Sequence, residues 1–143
     1  MTINTTNIES LKLQAKAAAA QAYAPYSGFK VGAVLVSDDD KTVSGCNVEN
    51  VSYGLSNCAE RTAIFCAIAN GMALNEVKQV VIYTPSDEVY SPCGACRQVM
   101  SEFLAPTTLI ISCCKTSAKQ WTLTELLPDA FSFNVDDFRE PQS

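Results

Sequence analysis

The chain has 143 residues, a length that suits one domain and allows a hydrophobic core to form without disulfide bonds. Hydrophobic residues make up 48% of the sequence and charged residues 17%, which excludes an intrinsically disordered protein. The net charge of −5 argues against a nucleic-acid binder, because such proteins need Lys and Arg to neutralise phosphates, and it favours a small-molecule substrate.

The first third of the chain predicts a helix followed by two strands. Thr6 and Glu9 have capping-box spacing, and apolar residues then recur at helical spacing until a stop near Pro25. Residues 29–36 (FKVGAVLV) are apolar almost throughout, as in a strand that is covered on both faces. A polar turn of three aspartates leads to a second strand, expected over residues 42–48.

The middle of the chain predicts two helices with a strand between them. An Asn cap and an Asn-Gly stop bound the first helix at residues 57–71, and Ser-Pro opens the second at residue 91. The strand is expected over residues 78–84. In these helices Ile68 and Phe103 are predicted to face the core.

The last third predicts a strand at residues 107–113, a fifth in the region of 120–123 and a short helical piece at 124–127. The connection between these two strands lacks the glycine that its turn is expected to need. The order α-β-β-α-β-α-β-β predicts one α/β domain over residues 1–143. Its fold class is a three-layer α/β/α sandwich with a mixed, roughly five-stranded sheet, since parallel strand connections require helices over the sheet.

Seven cysteines and no histidine restrict the chemistry of the chain. The odd count and the lack of a signal-peptide pattern in MTINTTNIES favour a cytoplasmic protein with free or metal-binding thiols over a disulfide framework. No apolar run is long enough to cross a bilayer, so neither a membrane nor a nucleic acid is an expected partner.

Three of the cysteines have the arrangement of a zinc site. Cys93 and Cys96 are three residues apart on a predicted helix, so their thiols share one face, and Cys58 stands at the start of the other helix. Cys66 is about 12 Å further along the axis of the helix that follows Cys58, too far to share the ion. Cys46, Cys113 and Cys114 lie in predicted strands and are interpreted as packing residues, as is Cys66.

Three protein ligands and a fourth position left to water are typical of a catalytic zinc site, and the sequence therefore predicts one Zn²⁺ per chain. Glu60, two residues after Cys58, is expected to act as the general acid–base on that water. Three thiolates over-neutralise the ion, so Arg61 and the positive ends of two helix dipoles are expected to offset their charge.

A C-x-x-C motif by itself is typical of a thiol-redox pair or of half of a structural zinc site. A non-catalytic zinc or redox module is therefore the alternative from a different functional class. The two motifs C-A-E and P-C-x-x-C together, each at a helix start, favour the catalytic interpretation and match the zinc nucleobase deaminases.

Beyond these motifs, most of the chain resembles the cytidine deaminase family, specifically its small, three-cysteine, homotetrameric zinc branch. The resemblance rests on the segments YSGFKVGA, GCNVEN, CAERTA, SPCGACRQ and ELLPDAF, at residues 26–33, 45–50, 58–63, 91–98 and 125–131. It implies hydrolytic deamination of cytidine and deoxycytidine to uridine and deoxyuridine plus ammonia, in pyrimidine salvage. It also implies the fold of that family.

The resemblance assigns roles in substrate binding to four residues of the same chain. Asn47 and Glu49 are implied to hydrogen-bond a sugar hydroxyl. Phe29 is implied to stack on the pyrimidine, and the Ala59 backbone to meet the base carbonyl. Without the resemblance, Phe29 and Phe131 are interpreted as core aromatics, and Asn47 and Glu49 as the polar end of a strand.

The resemblance further implies a homotetramer in which Tyr53 and Phe131 enter the pocket of a neighbouring subunit. Arg61 is implied to bond the zinc thiolates, in agreement with the charge argument. Val51 stands where small residues are common in the family, so some crowding of the pocket is expected.

A rival substrate keeps the same chemistry. Deaminases of nucleoside antibiotics such as blasticidin S share C-A-E and P-C-x-x-C, whereas the Asn47 and Glu49 pair and the segment 126–131 favour plain cytidine. A polynucleotide substrate is disfavoured by the acidic charge.

Overall fold

The computed structural model describes residues 5–139 and contains a five-stranded mixed sheet with helices on both faces. The helices are α1 (Thr5–Ala19), α2 (Ala59–Ala69), α3 (Gly94–Phe103) and α4 (Leu123–Leu126). The strands are β1 (Gly32–Ser37), β2 (Thr42–Cys46), β3 (Val77–Tyr83), β4 (Leu109–Cys113) and β5 (Ala118–Thr122). The predicted three-layer α/β/α architecture is confirmed.

The spatial order of the strands is β2-β1-β3-β4-β5. The β3–β4 pair is parallel and the other pairs are antiparallel. The parallel pair is joined by a crossover that contains α3, as such a connection requires. The crossover places the N-terminus of α3 at the same end of the sheet as that of α2.

One face of the sheet is covered by α1. Its apolar stripe of Ile8, Leu11, Ala15 and Ala19 packs on the outward side chains of β1, β3 and β4. The contact with β1 is very close, because a Cβ at Gly32 would lie 1.8 Å from the Ala15 carbonyl oxygen. Glycine at this position therefore sets how deeply α1 sits on the sheet.

The opposite face carries α2 and α3. Ala63, Ile64 and Ala67 from α2 and Met100 from α3 are fully buried against this face. Here too a glycine permits close packing, since a Cβ at Gly45 would lie 2.3 Å from the Ala63 backbone nitrogen. The close approach holds the start of α2 next to the end of β2.

Several boundaries differ from the prediction. The first helix begins at Thr5 and ends at Ala19, short of Pro25, because the chain turns while Ala22 and Ala24 stay buried in the connection. The side chain of Thr6, the predicted cap, lies outside the described residues. The last hairpin forms without a glycine, through the Cys114 N–H donating to the Ser117 carbonyl.

The first strand starts at Gly32 rather than at residue 29. The side chain of Asn47 bonds the carbonyl of Phe29 and the N–H of Val31, so it takes the place of a strand partner there. Residues 29–31 therefore run as a loop beside the sheet.

Two residues predicted to face the core are exposed. Ile68 and Phe103 have 44% and 38% of their surface accessible, because the sheet below covers only part of each helix. The packing role is confirmed for Cys113 and Cys114, which are buried, but Cys46 and Cys66 are only half-buried. Among residues 5–139, no helix is long and apolar enough to cross a bilayer.

Candidate metal centre and adjoining cavity

Two helix N-termini bring the three predicted thiols together. Cys58 is the N-cap of α2 and Cys93 the N-cap of α3, while Cys96 lies in the first turn of α3. The three Sγ atoms all lie within 4.8 Å of one another, and those of Cys58 and Cys93 are 3.9 Å apart. Within the described residues, this is the one cluster of three potential ligand groups close enough to share an ion.

The cluster fits Zn²⁺ in both chemistry and spacing. Thiolates are preferred zinc ligands, and two sulfurs about 2.3 Å from a tetrahedral ion lie about 3.8 Å apart. The distance between Cys58 and Cys93 is close to that value. The other four cysteines lie outside the cluster; Cys66 accepts a hydrogen bond from Asn70 instead. The fourth position of a tetrahedral ion would therefore be open to a non-protein ligand.

The surroundings favour the thiolate form of Cys58. A hydrogen bond from the Cys96 thiol, followed by the Arg61 guanidinium, lowers the pKa of Cys58 to about 5. The Cys96 pKa is raised because its thiol donates to Cys58 and is buried. The helix dipoles of α2 and α3 have their positive ends at the sulfurs and so stabilise negative charge on the cluster.

Arg61 lies against the thiols. Its Nη2 is 3.4 Å from the Cys58 Sγ, and contact with the sulfurs of Cys58 and Cys96 raises the pKa of the guanidinium. Its Nε is buried and has no hydrogen-bond partner among the described residues. The guanidinium is thus committed to the sulfur cluster and not to a carboxylate.

Glu60 is a buried carboxyl beside the cluster. Only 5% of its surface is accessible, and burial raises its pKa above the usual value. The Cys96 thiol opposes this shift through a hydrogen bond. A carboxyl of raised pKa at the wall of a cavity can hold a proton and release it within one reaction cycle.

The cluster opens into a cavity of about 300 Å³. That volume lies at the lower end of the usual range for small-ligand pockets. Among its lining residues are seven of the predicted site residues: Phe29, Asn47, Glu49, Cys58, Ala59, Glu60 and Cys93. The structure therefore places the predicted substrate residues of one chain next to the predicted metal ligands.

Two polar side chains shape the wall of the cavity through the loop that carries Phe29. The Glu49 carboxylate accepts hydrogen bonds from the Tyr26 and Ser27 N–H groups and from the Ser27 hydroxyl. The hydroxyl hydrogen bond is the main cause that lowers the Glu49 pKa. Asn47 bonds the next part of the loop, at Phe29 and Val31. Asn47 and Glu49 thus have a structural role, because they hold the loop that carries Phe29.

Among the lining residues that the sequence did not predict are Thr84, Tyr90 and Ser91. The Tyr90 ring meets the Phe29 ring edge to face, with centroids 6.4 Å apart. Tyr90 and Ser91 directly precede the Pro92-Cys93 segment, and this proximity to a predicted zinc ligand could have indicated that they lie at the site. Nothing in the sequence around Thr84, at the end of β3, pointed to the site.

Two residues predicted to bind the substrate lie outside this cavity. Tyr53 and Phe131 are 75% and 71% exposed and do not line it; Tyr53 packs against Tyr26, and Phe131 against Phe133. Val51 is 78% exposed and does not line the cavity either. The expected crowding by Val51 is therefore wrong for the cavity of one chain.

Comparisons with known proteins agree with this geometry. Residues 5–113 match the family described as "Cytidine and deoxycytidylate deaminase zinc-binding region". A cytidine deaminase of Sporosarcina psychrophila is 41% identical over 127 residues, which cover 88% of this chain and 92% of that protein. A cytidine deaminase of Mycobacterium tuberculosis is 42% identical over 124 residues, covering 87% and 89%.

The fold has a similar match among solved structures. The crystal structure of a cytidine deaminase from Burkholderia pseudomallei superposes with a TM-score of 0.83 at 47% identity, covering 92% of this chain and all of that one. A second, from Mycobacterium tuberculosis, gives 0.73 at 36% identity, covering 92% of this chain and 100% of its own.

Proposed function

The chain belongs to the family of cytidine and deoxycytidylate deaminases with a zinc-binding region, and on this premise we propose that it hydrolyses cytidine and deoxycytidine to uridine and deoxyuridine with release of ammonia. The observation that carries this proposal is the three-thiol cluster with the buried Glu60 carboxyl at the wall of the same cavity. We infer that the chain forms one catalytic domain.

Cys58, Cys93 and Cys96 would hold one Zn²⁺ through their thiolates. When bound, the ion supplies the Lewis acidity that ionises water near neutral pH. Arg61 supports the thiolate form of these ligands through its contact with Cys58, and so limits the negative charge that the ligands bring to the site.

Glu60 moves the protons of the reaction. One carboxylate oxygen accepts a proton from the water that attacks C4 of the pyrimidine, and Glu60 delivers this proton to ring N3. Glu60 then transfers the second proton of that water to the amino nitrogen, which leaves as ammonia while the C4 carbonyl forms. Both transfers need a carboxyl that holds a proton for part of the cycle, in agreement with the raised pKa of Glu60.

The base is oriented by two groups at the wall of the cavity. Phe29 offers a ring face for stacking on the pyrimidine, and its own ring is buttressed by the edge of Tyr90. Ala59 is the first residue of α2, so its backbone N–H has no acceptor within the helix and is available to the base carbonyl.

The sugar hydroxyl is bound by Asn47 and Glu49. Both side chains already hold the loop, but each keeps spare hydrogen-bonding capacity. Glu49 uses three of about four acceptor sites on its carboxylate, and the Asn47 amide donates one of its two N–H bonds to the loop. A site built around such groups discriminates against ligands that leave them unpaired, and this favours nucleosides over free bases.

We further infer a homotetramer in which Tyr53 and Phe131 reach the cavity of a neighbouring subunit. The support is the exposed apolar surface of one chain: Leu55, Phe65, Ile68, Phe103 and Phe133 are exposed in addition to Tyr53 and Phe131. Exposed apolar groups of this size mark association surfaces. Sedimentation equilibrium should give about four times the chain mass. A monomer that is fully active at nanomolar concentration would contradict the tetramer but not the proposed reaction.

A cytoplasmic location and a role in pyrimidine salvage complete the proposal. The support for the location is that all seven cysteines are free thiols, as expected in a reducing compartment. Cell fractionation with an activity readout tests this location.

The role in salvage is supported by the product, because a uridine nucleoside can re-enter nucleotide synthesis. Loss of growth on cytidine as the pyrimidine source, after deletion of the gene, tests that role.

The direct test is incubation of the purified protein with cytidine, with conversion to uridine followed by absorbance and ammonia by a coupled assay. Saturable turnover that fails after removal of zinc is the expected result. Preferred turnover of blasticidin S in a competition assay would redirect the substrate to a nucleoside antibiotic. Bound zinc without ammonia release from either compound would indicate a non-catalytic zinc module.

A further inference from the structure

A second cavity lies on the α1 face of the sheet. It has a volume of about 820 Å³ and is formed by the first turn of α1 and by strands β3, β4 and β5. Since α1 packs mainly over β1 and β3, the outer strand β5 stays open on this face. The cavity is therefore separated from the metal centre by the sheet itself, and its volume is in the range of small-ligand pockets.

Two glutamines that line this cavity have side chains without a hydrogen-bond partner among the described residues. Gln79 on β3 is only 8% exposed, and its side chain bonds no other described residue. The Oε1 atom of Gln120 on β5 is fully buried and is also unpartnered among residues 5–139. A buried carbonyl oxygen without a donor is costly, and such groups in native proteins usually have a water or a ligand as partner.

Two hydroxyl groups around the cavity have partners within the chain. The Thr108 hydroxyl donates to the Val77 carbonyl. The Thr122 hydroxyl accepts from the Glu125 N–H within a capping box. Asn75 and Thr107 also line the cavity, but they are exposed and can bond solvent, so what distinguishes Gln79 and Gln120 is unused hydrogen-bonding capacity at more buried positions.

The strand register places the two amides on one face. Gln79 pairs with Leu109, which pairs with Thr122, and Gln120 is two residues before Thr122 on β5. Two strand spacings and two residue steps separate the Cα atoms by about 12 Å. That span allows the two amides to bond opposite edges of one flat ring system that lies over β4.

The chemistry of the lining selects a neutral ligand. Lys78 is the one basic residue among the lining residues, and its Nζ is bound to the Asp40 carboxylate at 2.6 Å. Asp38 adds a negative charge at the rim. A phosphate group would therefore meet no free cation here. Ile8, Leu109 and Ile111 supply apolar surface for the faces of a ring.

We propose that this cavity binds an adenine ring, as the free base or its nucleoside, between Gln79 and Gln120. A glutamine amide matches the N6 donor and N7 acceptor of adenine with its Oε1 and Nε2. Rotation of the Gln120 amide about its terminal bond brings the buried, unpartnered Oε1 to the N6 donor of the ring, and Gln79 bonds another edge of the ring.

The sole tryptophan provides a local readout, because Trp121 directly follows Gln120. Adenosine titrated into the zinc-loaded full chain should change the fluorescence of Trp121 in a saturable way, and equilibrium dialysis with labelled adenosine should give the same Kd. Adenine should bind comparably. Adenosine monophosphate should bind at least ten-fold more weakly, because its phosphate meets Asp38 and a neutralised Lys78.

Matched variants test the two amides. Gln79→Met and Gln120→Met keep the length and apolar character of each side chain but remove the amide, and each should weaken adenosine binding ten-fold or more. Both should leave cytidine deamination unchanged, which reports that the chain is folded. Gln21→Met, at an exposed glutamine after α1, is the control and should leave binding unchanged.

Several outcomes would overturn the proposal. These are no saturable binding of adenosine to the wild-type chain at millimolar concentration, unchanged affinity in both variants, equal or tighter binding of the monophosphate, or displacement of adenosine by cytidine. The last result would place adenosine in the catalytic cavity. Adenosine binding that persists in a chain unable to deaminate cytidine would refute only the proposed function and would leave this site intact.

Discussion

The two cavities lie on opposite faces of one sheet and use amide side chains in opposite ways. In the cavity beside the thiols, the Asn47 amide is bonded at both ends to the loop of Phe29. In the second cavity, the amides of Gln79 and Gln120 bond no described residue. The Asn47 amide therefore helps to build the wall of a site, whereas the amides of Gln79 and Gln120 are not used to hold the chain around their cavity.

Charge separates the cavities further. The thiol cavity is lined by Cys58, with its pKa lowered to about 5, and by the buried Glu60 carboxyl, and the Arg61 guanidinium lies against the Cys58 thiol. The second cavity is lined mainly by amides, hydroxyls and apolar groups, with the paired Lys78 and Asp38 as its charged residues. Proton transfer needs groups that titrate, so the first cavity suits catalysis and the second suits binding alone.

The largest effect is expected at Glu60. Glu60→Gln keeps the shape of the side chain but removes its ability to carry a proton, so kcat should fall by about 10²- to 10⁴-fold. Zinc content, measured by elemental analysis, should stay near one ion per chain because no ligand is altered. Glu102→Gln, at an exposed position in α3, is the matched control. Activity within ten-fold of wild type would refute the assignment.

Arg61 should act on the metal rather than on the proton transfer. Arg61→Gln removes the cation that contacts the thiolates, and zinc affinity should fall about 10- to 100-fold. Competition with a chromogenic chelator measures this affinity directly. Arg139→Gln, an exposed arginine near the end of the described chain, is the control. Unchanged chelator competition and an unchanged pH–rate profile would remove the electrostatic role of Arg61.

Ser27 should tune the protonation of Glu49. Because the Ser27 hydroxyl lowers the Glu49 pKa below its usual 4.5, the ionised carboxylate is favoured above that pH, and the advantage is lost as pH falls through the lowered value. Ser27→Ala should raise the Glu49 pKa. The increase in KM for cytidine at acidic pH should then begin at a higher pH. The KM profile measured against Ser10→Ala, an exposed serine on α1, checks this. Identical KM values for the two variants at acidic pH would contradict this role of Ser27.

The smallest effect is expected in the second cavity. Gln120→Met removes a buried, unpartnered carbonyl oxygen, so the free energy of unfolding of the ligand-free chain should rise by about 1 kcal/mol. Calorimetry should show this as an increase in Tm of about 3–5 °C. Adenosine should raise the Tm of the wild-type chain but not of this variant. A lower Tm for the variant would indicate that Gln120 is satisfied in solution.

Local signals in the sequence determined much of the catalytic end of the molecule. The helix starts expected at Asn57 and Ser91 were one and two residues too early, because Cys58 and Cys93 are themselves the N-caps. The spacing of Cys93 and Cys96 alone nevertheless places both thiols on one face. Cap and turn preferences act within a few residues, and so they can be read without knowing the fold. The mixed five-stranded sheet followed from the order of elements for a similar reason.

Contacts between distant segments were decided only by the tertiary structure. Phe29 leaves the predicted strand because Asn47, 18 residues later, bonds its carbonyl. Ile68 has helical periodicity but lies beyond the area that the sheet covers. Gln79 and Gln120 face one cavity only because β4 lies between their strands. Apolar periodicity indicates that one face of an element is buried. Which segment covers that face, and whether a nearby polar group finds a partner, depends on how remote segments pack.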